Sequence, residues 1–429
     1  MPGPRRADRP DGGFPPTPQA ACDRLAAVRP DAYARTRNAL DGAVTRLSPY
    51  LTHGLLELPE VLAAVAARHP LGVQHKFVYE LGWREYFHHV WAHRGDGILQ
   101  SLHAGPLPDA AYAAEVPTDV REARSGVPVI DQAVRGLYAE GWLHNHARMW
   151  LASYLVHLRK VHWRAGADWL WGHLLDGDLA SNHLSWQWVA GTGSHQPYLF
   201  NAGNVARHAP PHWHSPGSVL DTSYEALDAL ARDPLAVPAT PAGEGVDEPG
   251  RDAAAAMTPS GAPPQLVWFK RDLRVHDHAP LAQAAGHGPV LALYVYEPSV
   301  LRAPQSDACH LGYVNDCLAA LRAALARRGC PLLVLEGECP EVLEGLRRVH
   351  GFRTLWSHEE TGLEVTWARD RRVAAWCRAQ GVAWHELPQN GVVRRLAPRR
   401  SWTPSCTSAA WTTAARWPRR WTARRPARG

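Results

Sequence analysis

The spacing of apolar residues divides the chain into two parts. Between about residues 23 and 233, apolar positions recur every three or four residues, and alternating runs are rare. That period is typical of amphipathic helices packed on a common core. We therefore predict an all-α part with helices at residues 56–67, 77–92, 129–138, 146–160 and 167–175.

From residue 265 onwards, short apolar runs alternate with helical segments. Strands are predicted at residues 266–269, 290–296, 332–335, 354–356 and 382–386, and helices at residues 281–285, 312–328, 340–350 and 363–380. Such alternation predicts an α/β doubly wound parallel-sheet (Rossmann-like) domain. No G-x-G-x-x-G sequence follows any of these strands, so a dinucleotide-binding loop is not predicted.

Composition suggests the boundaries of these parts. We predict a disordered start at residues 1–20, the helical domain at residues 21–233, and a Pro/Ala/Gly-rich linker at residues 234–264. The α/β domain is predicted at residues 265–396, followed by a disordered basic tail at residues 397–429. The chain is therefore expected to hold two folded domains with separate cores.

The net charge of +5 does not indicate a basic folded body. Residues 394–429 contain ten arginines and no acid, and the remainder has 36 basic against 41 acidic residues, or −5. Any nucleic-acid site on the body must therefore be a local patch. No signal sequence or apolar run long enough to span a membrane is visible, so we predict a cytoplasmic monomer.

Chemically informative residues cluster in three helical segments. Glu80, Trp83, Arg84 and Phe87 share one face of a predicted helix, because they are spaced i, i+3, i+4 and i+7. Residues 141–149 bring an amide, a guanidinium and a thioether to a similar spacing. Residues 176–193 combine two acids, an amide and two tryptophans, and buried acids and amides are costly unless they are hydrogen-bonded. A partly exposed ion pair beside a packed tryptophan is the alternative for the first segment.

Metal binding is not predicted. His89 and His93 are four residues apart, but no acidic third ligand accompanies them, and 24 histidines make such spacings common.

These segments resemble the DNA photolyase/cryptochrome family. The matching text is residues 45–51 (Thr-Arg-Leu-Ser-Pro-Tyr-Leu), 80–85 (Glu-Leu-Gly-Trp-Arg-Glu), 126–131 (Gly-Val-Pro-Val-Ile-Asp), 141–149 and 176–193. Residues 266–277 are similar to the opening strand and loop of the family's α/β domain. The order of the two domains is reversed here, because family members usually have the α/β domain first.

The resemblance implies FAD held in the helical domain. The positions that match the family's cofactor contacts are Tyr33, Arg37, Thr45, Arg46, Leu47, Ser48, Arg84, Arg148, Asp176, Asp178 and Asn182. Guanidinium groups and hydroxyls suit a pyrophosphate, and an arginine–aspartate pair with an amide suits the isoalloxazine. An antenna chromophore, a folate or a deazaflavin, is possible in the α/β domain, but no motif here decides between them.

The resemblance also implies a substrate pocket and an electron-transfer chain. Glu80, Trp83, Asn145, Met149 and Trp188 match the family's pyrimidine-dimer pocket. Trp186 and Trp163 match the first two tryptophans that pass electrons to the flavin. The third position falls at Ala110, which departs from the family; Tyr112, Trp169 or Trp171 are alternatives.

Three functions follow from the resemblance. The leading prediction is a deoxyribodipyrimidine photo-lyase, which repairs UV-damaged DNA by electron transfer from photoexcited reduced FAD. A cryptochrome-like blue-light sensor is the second, and a non-catalytic flavin-binding accessory protein is the third. A complete dimer pocket favours the first, whereas the alanine at position 110 weakens the sensor most.

Overall fold

A computed structural model describes residues 13–194, 196–234, 263–303 and 305–389. The predicted linker falls mainly outside these described residues, as do the predicted tail and the first twelve residues of the chain. The proposed domain boundaries therefore stay predictions.

The first part of the chain is helical, as its apolar spacing predicts. Its α-helices are α1 (Pro18–Ala26), α2 (Pro30–Thr36), α3 (Ser48–Thr52), α4 (Leu58–Ala66), α5 (Lys76–Arg94), α6 (Thr118–Arg121), α7 (Pro128–Glu140), α8 (Asn145–Ser153), α9 (Trp163–His173), α10 (Leu179–Ala190), α11 (Ala202–His208) and α12 (Tyr224–Arg232). Its centre is α10, which packs against α5, α8 and α9. Side chains from these four helices therefore meet in one region.

The ends of α10 follow from local sequence. The Asp178 side chain accepts a hydrogen bond from the Ser181 amide at 2.8 Å and caps the helix, and Gly191 ends it at φ 79°. A carboxylate at the N-terminus of a helix satisfies a free amide and interacts favourably with the helix dipole. This capping fixes where the acidic segment stands relative to α10.

Two predictions about the helical part were wrong. Residues 13–20 were expected to be disordered, but Phe14 is only 4% exposed and α1 begins at Pro18, because the Phe14 ring packs against Tyr50 and Trp142. Residues 146–160 were expected to form one helix. Instead α8 passes into a single π-helical turn at Tyr154–Leu158.

A buried lysine explains the end of that turn. Lys160 adopts φ 51°, which ends the helix, and its ammonium group donates to the Leu230 and Ala231 carbonyls at the end of α12 at 2.5 and 3.1 Å. The side chain thus satisfies carbonyls that the helix leaves free. Periodicity alone does not reveal such a contact.

The second part is a five-stranded parallel sheet with helices between its strands. Its strands are β1 (Gln265–Trp268), β2 (Val290–Tyr296), β3 (Leu332–Glu336), β4 (Thr354–His358) and β5 (Ala383–Leu387), and its helices are α13 (Ala279–His287), α14 (Pro298–Leu301), α15 (Ala308–Ala326), α16 (Cys339–His350) and α17 (Glu364–Gln380). The strand order is β3-β2-β1-β4-β5. The predicted fold class, an all-α domain plus a doubly wound α/β domain, is confirmed.

The helical and α/β parts share one apolar core, although the chain joins them in reversed order. Leu47, Tyr50 and Phe77 pack in the same cluster as Val267 and Tyr313. The two parts therefore dock against one another in the structure, although separate cores were expected. None of the described helices is long and apolar enough to cross a membrane.

A buried arginine reinforces this interface. Arg274 follows β1, and its guanidinium donates to the Gly54 carbonyl at 2.8 Å and forms an ion pair with Glu57. Burial outweighs the charge of Arg274 and raises the pKa of Glu57 to about 7. Removing one partner while the interface stays closed would leave the other buried without compensation.

Replacing this arginine should loosen the docking of the two parts. We expect Arg274→Met to cost about 3 kcal/mol, because it removes one partner of a buried pair and leaves the Gly54 carbonyl unsatisfied. Urea unfolding and limited proteolysis measure the loss. Arg372→Met is the matched control, since Arg372 is 50% exposed and should contribute less than about 1 kcal/mol. Equal losses in both variants would contradict the prediction.

Candidate functional site

Two acids that flank Gly177 each bind a different arginine. Arg148 on α8 donates to Asp176 Oδ2 at 2.7 Å, and Arg84 on α5 donates to Asp178 Oδ2 at 3.2 Å. Both acids are only 5% exposed. The structure thus brings an arginine from α5 and one from α8 to the acidic segment before α10; the assignment of these residues to the cofactor stays a prediction.

The Asp178 carboxylate is held ionised by its surroundings. Burial alone would raise its pKa, but the charge of Arg84 and hydrogen bonds from His88 and Ser181 hold it well below the ordinary value. His88 Nε2 lies 2.8 Å from Asp178 Oδ2. His88 was not predicted, although it follows Arg84 by four residues and so lies on the same face of α5.

Several buried polar atoms in this region have no hydrogen-bond partner among the described residues. Among them are Asp176 Oδ1, at the acidic segment, and Arg46 Nε, in the turn before α3. Unsatisfied buried groups are rare in folded proteins and usually serve a ligand or a water molecule. A carboxylate oxygen and a guanidinium nitrogen suit the polar edge of a flavin and a phosphate, respectively, so the residues present fit FAD.

The remaining predicted cofactor residues lie around the same helices. Thr45, Arg46, Leu47 and Ser48 form the turn that leads into α3. Arg46 stacks on Trp142 at 4.4 Å from its ring centroid, and Ser48 Oγ accepts from the indole of Trp142 at 3.2 Å. Trp142 thereby holds this turn in place.

Three predicted cofactor residues already have protein partners. The Tyr33 ring packs edge-on against Phe77, and burial raises its pKa to about 12. Asn182 Nδ2 donates to the Ala167 carbonyl at 2.9 Å. Arg37 forms an ion pair with Glu80 at 3.1 Å. Arg37 and Glu80 were assigned to the cofactor and the substrate, and here they contact one another.

The five predicted pocket residues lie on three helices that pack together: Glu80 and Trp83 on α5, Asn145 and Met149 on α8, and Trp188 on α10. Trp83 is 39% exposed and Trp188 is 45% exposed, which is high for indole rings. Asn145 Nδ2 lies 3.5 Å from Met149 Sδ. Apolar and polar groups are therefore both available to a ligand from solvent.

The two predicted electron-transfer tryptophans are buried, with Trp186 at 2% and Trp163 at 3% exposure. The Trp186 ring lies against Gly166 on α9, where an added Cβ would stand 2.4 Å from a ring carbon. Only glycine leaves room for the ring at this point. The indole of Trp163 donates to Ser101 Oγ at 3.0 Å.

Both parts of the chain match known families. Residues 77–212 match the FAD binding domain of DNA photolyase, and residues 265–401 match the DNA photolyase domain. The chain belongs to the DNA photolyase/cryptochrome family. Its helical part is a FAD-binding domain of that family.

The curated relatives of this family member carry two kinds of name. A deoxyribodipyrimidine photo-lyase of Streptomyces griseus is 39% identical over 153 residues, covering 35% of this chain and 33% of the relative. A photo-lyase of Synechococcus sp. is 33% identical over 224 residues, covering 46% of this chain and 44% of the relative. A cryptochrome DASH of Idiomarina loihiensis is 31% identical over 169 residues, with 38% of each chain covered. The matches thus span a third to under half of these relatives' lengths.

A cavity of about 150 Å³ lies between the two parts of this photolyase/cryptochrome chain. Its walls include Thr52 and Trp171 from the helical part, and Arg271, Tyr294 and Glu360 from the carboxyl side of the sheet. Ligands of doubly wound folds bind at this side. The antenna chromophore stays a prediction.

Three buried groups at the carboxyl side of the sheet, Asp272, His278 and His358, lie close enough together to hold a metal ion. Their contacts fit a hydrogen-bonded network better. Asp272 Oδ2 accepts from His278 at 2.8 Å and from His358 at 2.6 Å, and His278 Nδ1 accepts from the Leu281 amide. Because Nδ1 of His278 is an acceptor, its Nε2 carries the hydrogen that a metal would have to displace.

Proposed function

We propose that this protein is a light-dependent DNA repair enzyme that splits cyclobutane pyrimidine dimers. One observation carries the proposal. The half-exposed indoles of Trp83 and Trp188 lie on the same helices as two arginine–aspartate ion pairs with buried carboxylates. The exposed rings suit a flat, apolar ligand, and the buried pairs suit a charged, redox-active cofactor.

In this proposal the chain binds FAD through the turn before α3 and through the acidic segment before α10. Arg46 and Ser48 would hold the phosphates, and Arg148 and Asp176 would hold the isoalloxazine. FAD, when bound and reduced, supplies a light-driven one-electron donor. The protein contributes positioning, a fixed charge pattern and exclusion of water.

The substrate would stack on Trp83 and Trp188. Dimer repair requires the lesion to leave the base stack, and stacking on aromatic side chains stabilises the extruded lesion. Trp83 packs within 5.5 Å of Tyr86 and 5.4 Å of Phe87, so its ring is held in place by neighbours. Glu80 is positioned by Arg37 at 3.1 Å and would contact the base edges of the dimer.

Repair by the chemically reduced protein tests this function. The purified holoprotein is illuminated with an oligonucleotide that contains one thymine dimer, and dimer loss is measured. We expect repair, with Glu80→Ala slower by at least about ten-fold because a contact that would orient the base edges of the dimer is removed. Bound FAD without dimer loss would contradict the proposal and favour the cryptochrome-like alternative, which the cryptochrome DASH match supports.

Trp83→Ala should weaken binding of dimer-containing DNA by about 5- to 150-fold, because one base–aromatic stacking contact contributes about 1–3 kcal/mol. Fluorescence anisotropy with labelled oligonucleotides measures this change. Tyr224→Ala is the matched control, since Tyr224 is a 46% exposed aromatic residue on α12. Equal weakening by both variants would argue against a substrate role for Trp83.

We also propose that Trp186 and Trp163 pass electrons towards the flavin and that Tyr112 replaces the missing third tryptophan. The Ala113 amide donates to the Lys160 carbonyl at 2.6 Å, and the His162 amide donates to the Ala113 carbonyl at 2.8 Å. This pairing places the centroid of the Tyr112 ring 6.2 Å from that of the His162 ring. The His162 centroid in turn lies 5.7 Å from that of the Trp163 ring.

Tyr112→Phe should therefore lower the yield of flavin photoreduction by an external thiol, because phenylalanine is much harder to oxidise than tyrosine. Steady-state absorption under blue light measures the yield. Tyr138→Phe is the control, because Tyr138 is also part-buried and its hydroxyl donates to the Arg121 carbonyl at 2.8 Å. An unchanged yield in Tyr112→Phe would contradict the role of Tyr112 and would favour Trp169 or Trp171 as the third electron donor.

A further inference from the structure

Two histidine side chains hold the loop between α9 and α10, which leads into Asp176. His310 Nε2 lies 2.7 Å from the Leu174 carbonyl oxygen, and His53 Nε2 lies 2.8 Å from the Leu175 carbonyl oxygen. A carbonyl oxygen has no hydrogen to give, so the Nε2 atom of each ring is the donor. This assignment is the same whether or not the other ring nitrogen carries a hydrogen. Two consecutive carbonyls of the loop are therefore fixed by side chains from distant positions in the chain.

The two donors come from different parts of the protein. His53 directly follows α3 in the helical part, whereas His310 lies in the first turn of α15 in the α/β part. The Tyr313 ring of α15 packs on the His53 ring, with centroids 4.5 Å apart. His310 and Tyr313 are three residues apart and so lie on one face of α15. One face of this helix thus supplies one donor and packs against the other.

The loop that these donors hold carries both acids of the candidate flavin site. Asp176 and Asp178 follow Leu174 closely, and their carboxylates form ion pairs with Arg148 and Arg84. Loops are more mobile than the helices that they connect. A shift of the backbone at Leu174 would displace both carboxylates relative to the arginines and to a bound flavin. The donors to the loop carbonyls therefore determine where the acids stand.

We propose that His310 is a positioning residue for the flavin site, which makes the α/β part a structural component of FAD binding. By donating to the Leu174 carbonyl, it keeps the loop in the geometry in which Asp176 meets the isoalloxazine. The proposal rests on the proposed function, because that function assigns Asp176 to the isoalloxazine. A ligand binds more tightly to a site that already has its bound geometry, since the cost of ordering the site does not reduce the binding free energy.

The surroundings of His310 favour one orientation of its ring. The ring packs against the Trp171 ring, with centroids 5.2 Å apart, and Trp171 lies on α9 just before the loop. The contact with Leu174 joins residues 136 positions apart. Neither the apolar period nor a local motif connects such residues, so the sequence did not indicate this role for His310.

Two amide substitutions separate the hydrogen bond from the packing around it. Glutamine places its side-chain nitrogen about where histidine has Nε2, whereas the shorter asparagine does not reach the Leu174 carbonyl. We expect FAD to dissociate about five- to tenfold faster from His310→Asn than from the parent holoprotein, because the loss of one hydrogen bond has an effect of that order. In His310→Gln the rate should stay within about twofold of the parent rate. The rise of flavin fluorescence after dilution measures the rate.

Hydrogen exchange of the full-length protein, with FAD and after its removal, measures the loop itself. We expect peptides that cover residues 174–182 to exchange faster in His310→Asn and at the parent rate in His310→Gln, because local opening sets the exchange rate. His214→Asn is the matched control, since His214 Nε2 lies 3.0 Å from the Ala209 carbonyl, a contact of the same kind outside the candidate site. It should change neither the loop nor the release of FAD.

Three results would overturn the proposal. FAD release from His310→Asn at the parent rate would show that the contact does not position the site. An equal acceleration in His310→Asn and His310→Gln would assign the effect to packing and not to the hydrogen bond. An equal effect of His214→Asn on the loop would assign it to a general loss of stability.

Failure of the proposed function would be recognised separately. Absence of dimer repair by the chemically reduced parent protein contradicts the repair proposal. FAD release and hydrogen exchange decide the assignment of His310, because neither measurement requires DNA or light.

Discussion

Asp178→Ala is expected to destabilise the helical part by about 4 kcal/mol and to abolish retention of FAD. The carboxylate is the buried partner of Arg84 and His88, and it also caps α10. Its removal takes the carboxylate acceptor from the Arg84 guanidinium, which is 19% exposed, at a cost of about 3 kcal/mol, the low end of the range for buried pairs, and removes a cap that contributes about 1 kcal/mol. Urea unfolding followed by tryptophan fluorescence, and the flavin-to-protein absorbance ratio, measure the two effects.

Asp119→Ala is a matched control in the same part of the chain. Asp119 also pairs with an arginine, Arg159, at 2.7 Å, but its side chain is 41% exposed. Water then replaces the lost partner, so the cost should stay below about 1 kcal/mol and FAD should be retained. If Asp178→Ala were no more harmful than Asp119→Ala, the acidic segment would not have the structural role assigned to it.

The sequence was sufficient for most of the fold because the period of apolar residues differs between helices and buried strands. β2 was predicted with the bounds it has, since its continuous apolar run ends at clear breaks. The π-helical turn after α8 was not predicted, and the Lys160 contacts that follow it join residues about seventy positions apart. The docking contacts of Arg274 with Gly54 and Glu57 likewise join residues more than two hundred positions apart.

The site was predictable where residues share a local motif. The spacing on α5 placed Arg84 on one helix face with Glu80 and Trp83, and the structure adds the contact of Arg84 with Asp178. The contact between Arg37 and Glu80 was not anticipated, since it joins two different helical segments. Family resemblance, and not helix periodicity, supplied the roles of these residues.

Several buried histidines should make the fold sensitive to acid. Burial lowers the pKa of His53 and His358 to about 3, and that of His144 and His157 to about 4. Each ring is at most 8% exposed. In the unfolded chain a histidine binds a proton near pH 6.5, whereas these four do so only at much lower pH. Protonation therefore favours unfolding as the pH falls from about 6.5 towards 3 or 4.

The size of this effect follows from linkage. At pH 5 each histidine has lost about 2 kcal/mol of its contribution to stability, since one pKa unit corresponds to about 1.4 kcal/mol. Glu57 acts in the opposite direction: its pKa of about 7 means that the folded state takes up a proton between about pH 7 and 4.5, which adds up to about 3 kcal/mol. The net loss by pH 5 is then about 5 kcal/mol, comparable to the whole stability of many domains.

Urea unfolding at pH 8, 7, 6 and 5 measures this dependence. We expect the free energy of unfolding to change little between pH 8 and 7 and to fall steeply between pH 6.5 and 5. His157→Gln should recover about 2 kcal/mol of the loss at pH 5, because glutamine does not titrate and His157 has no exposed surface. A parent protein equally stable at pH 7 and pH 5 would show that these rings accept protons while folded, and the burial that the structure gives them would then be wrong.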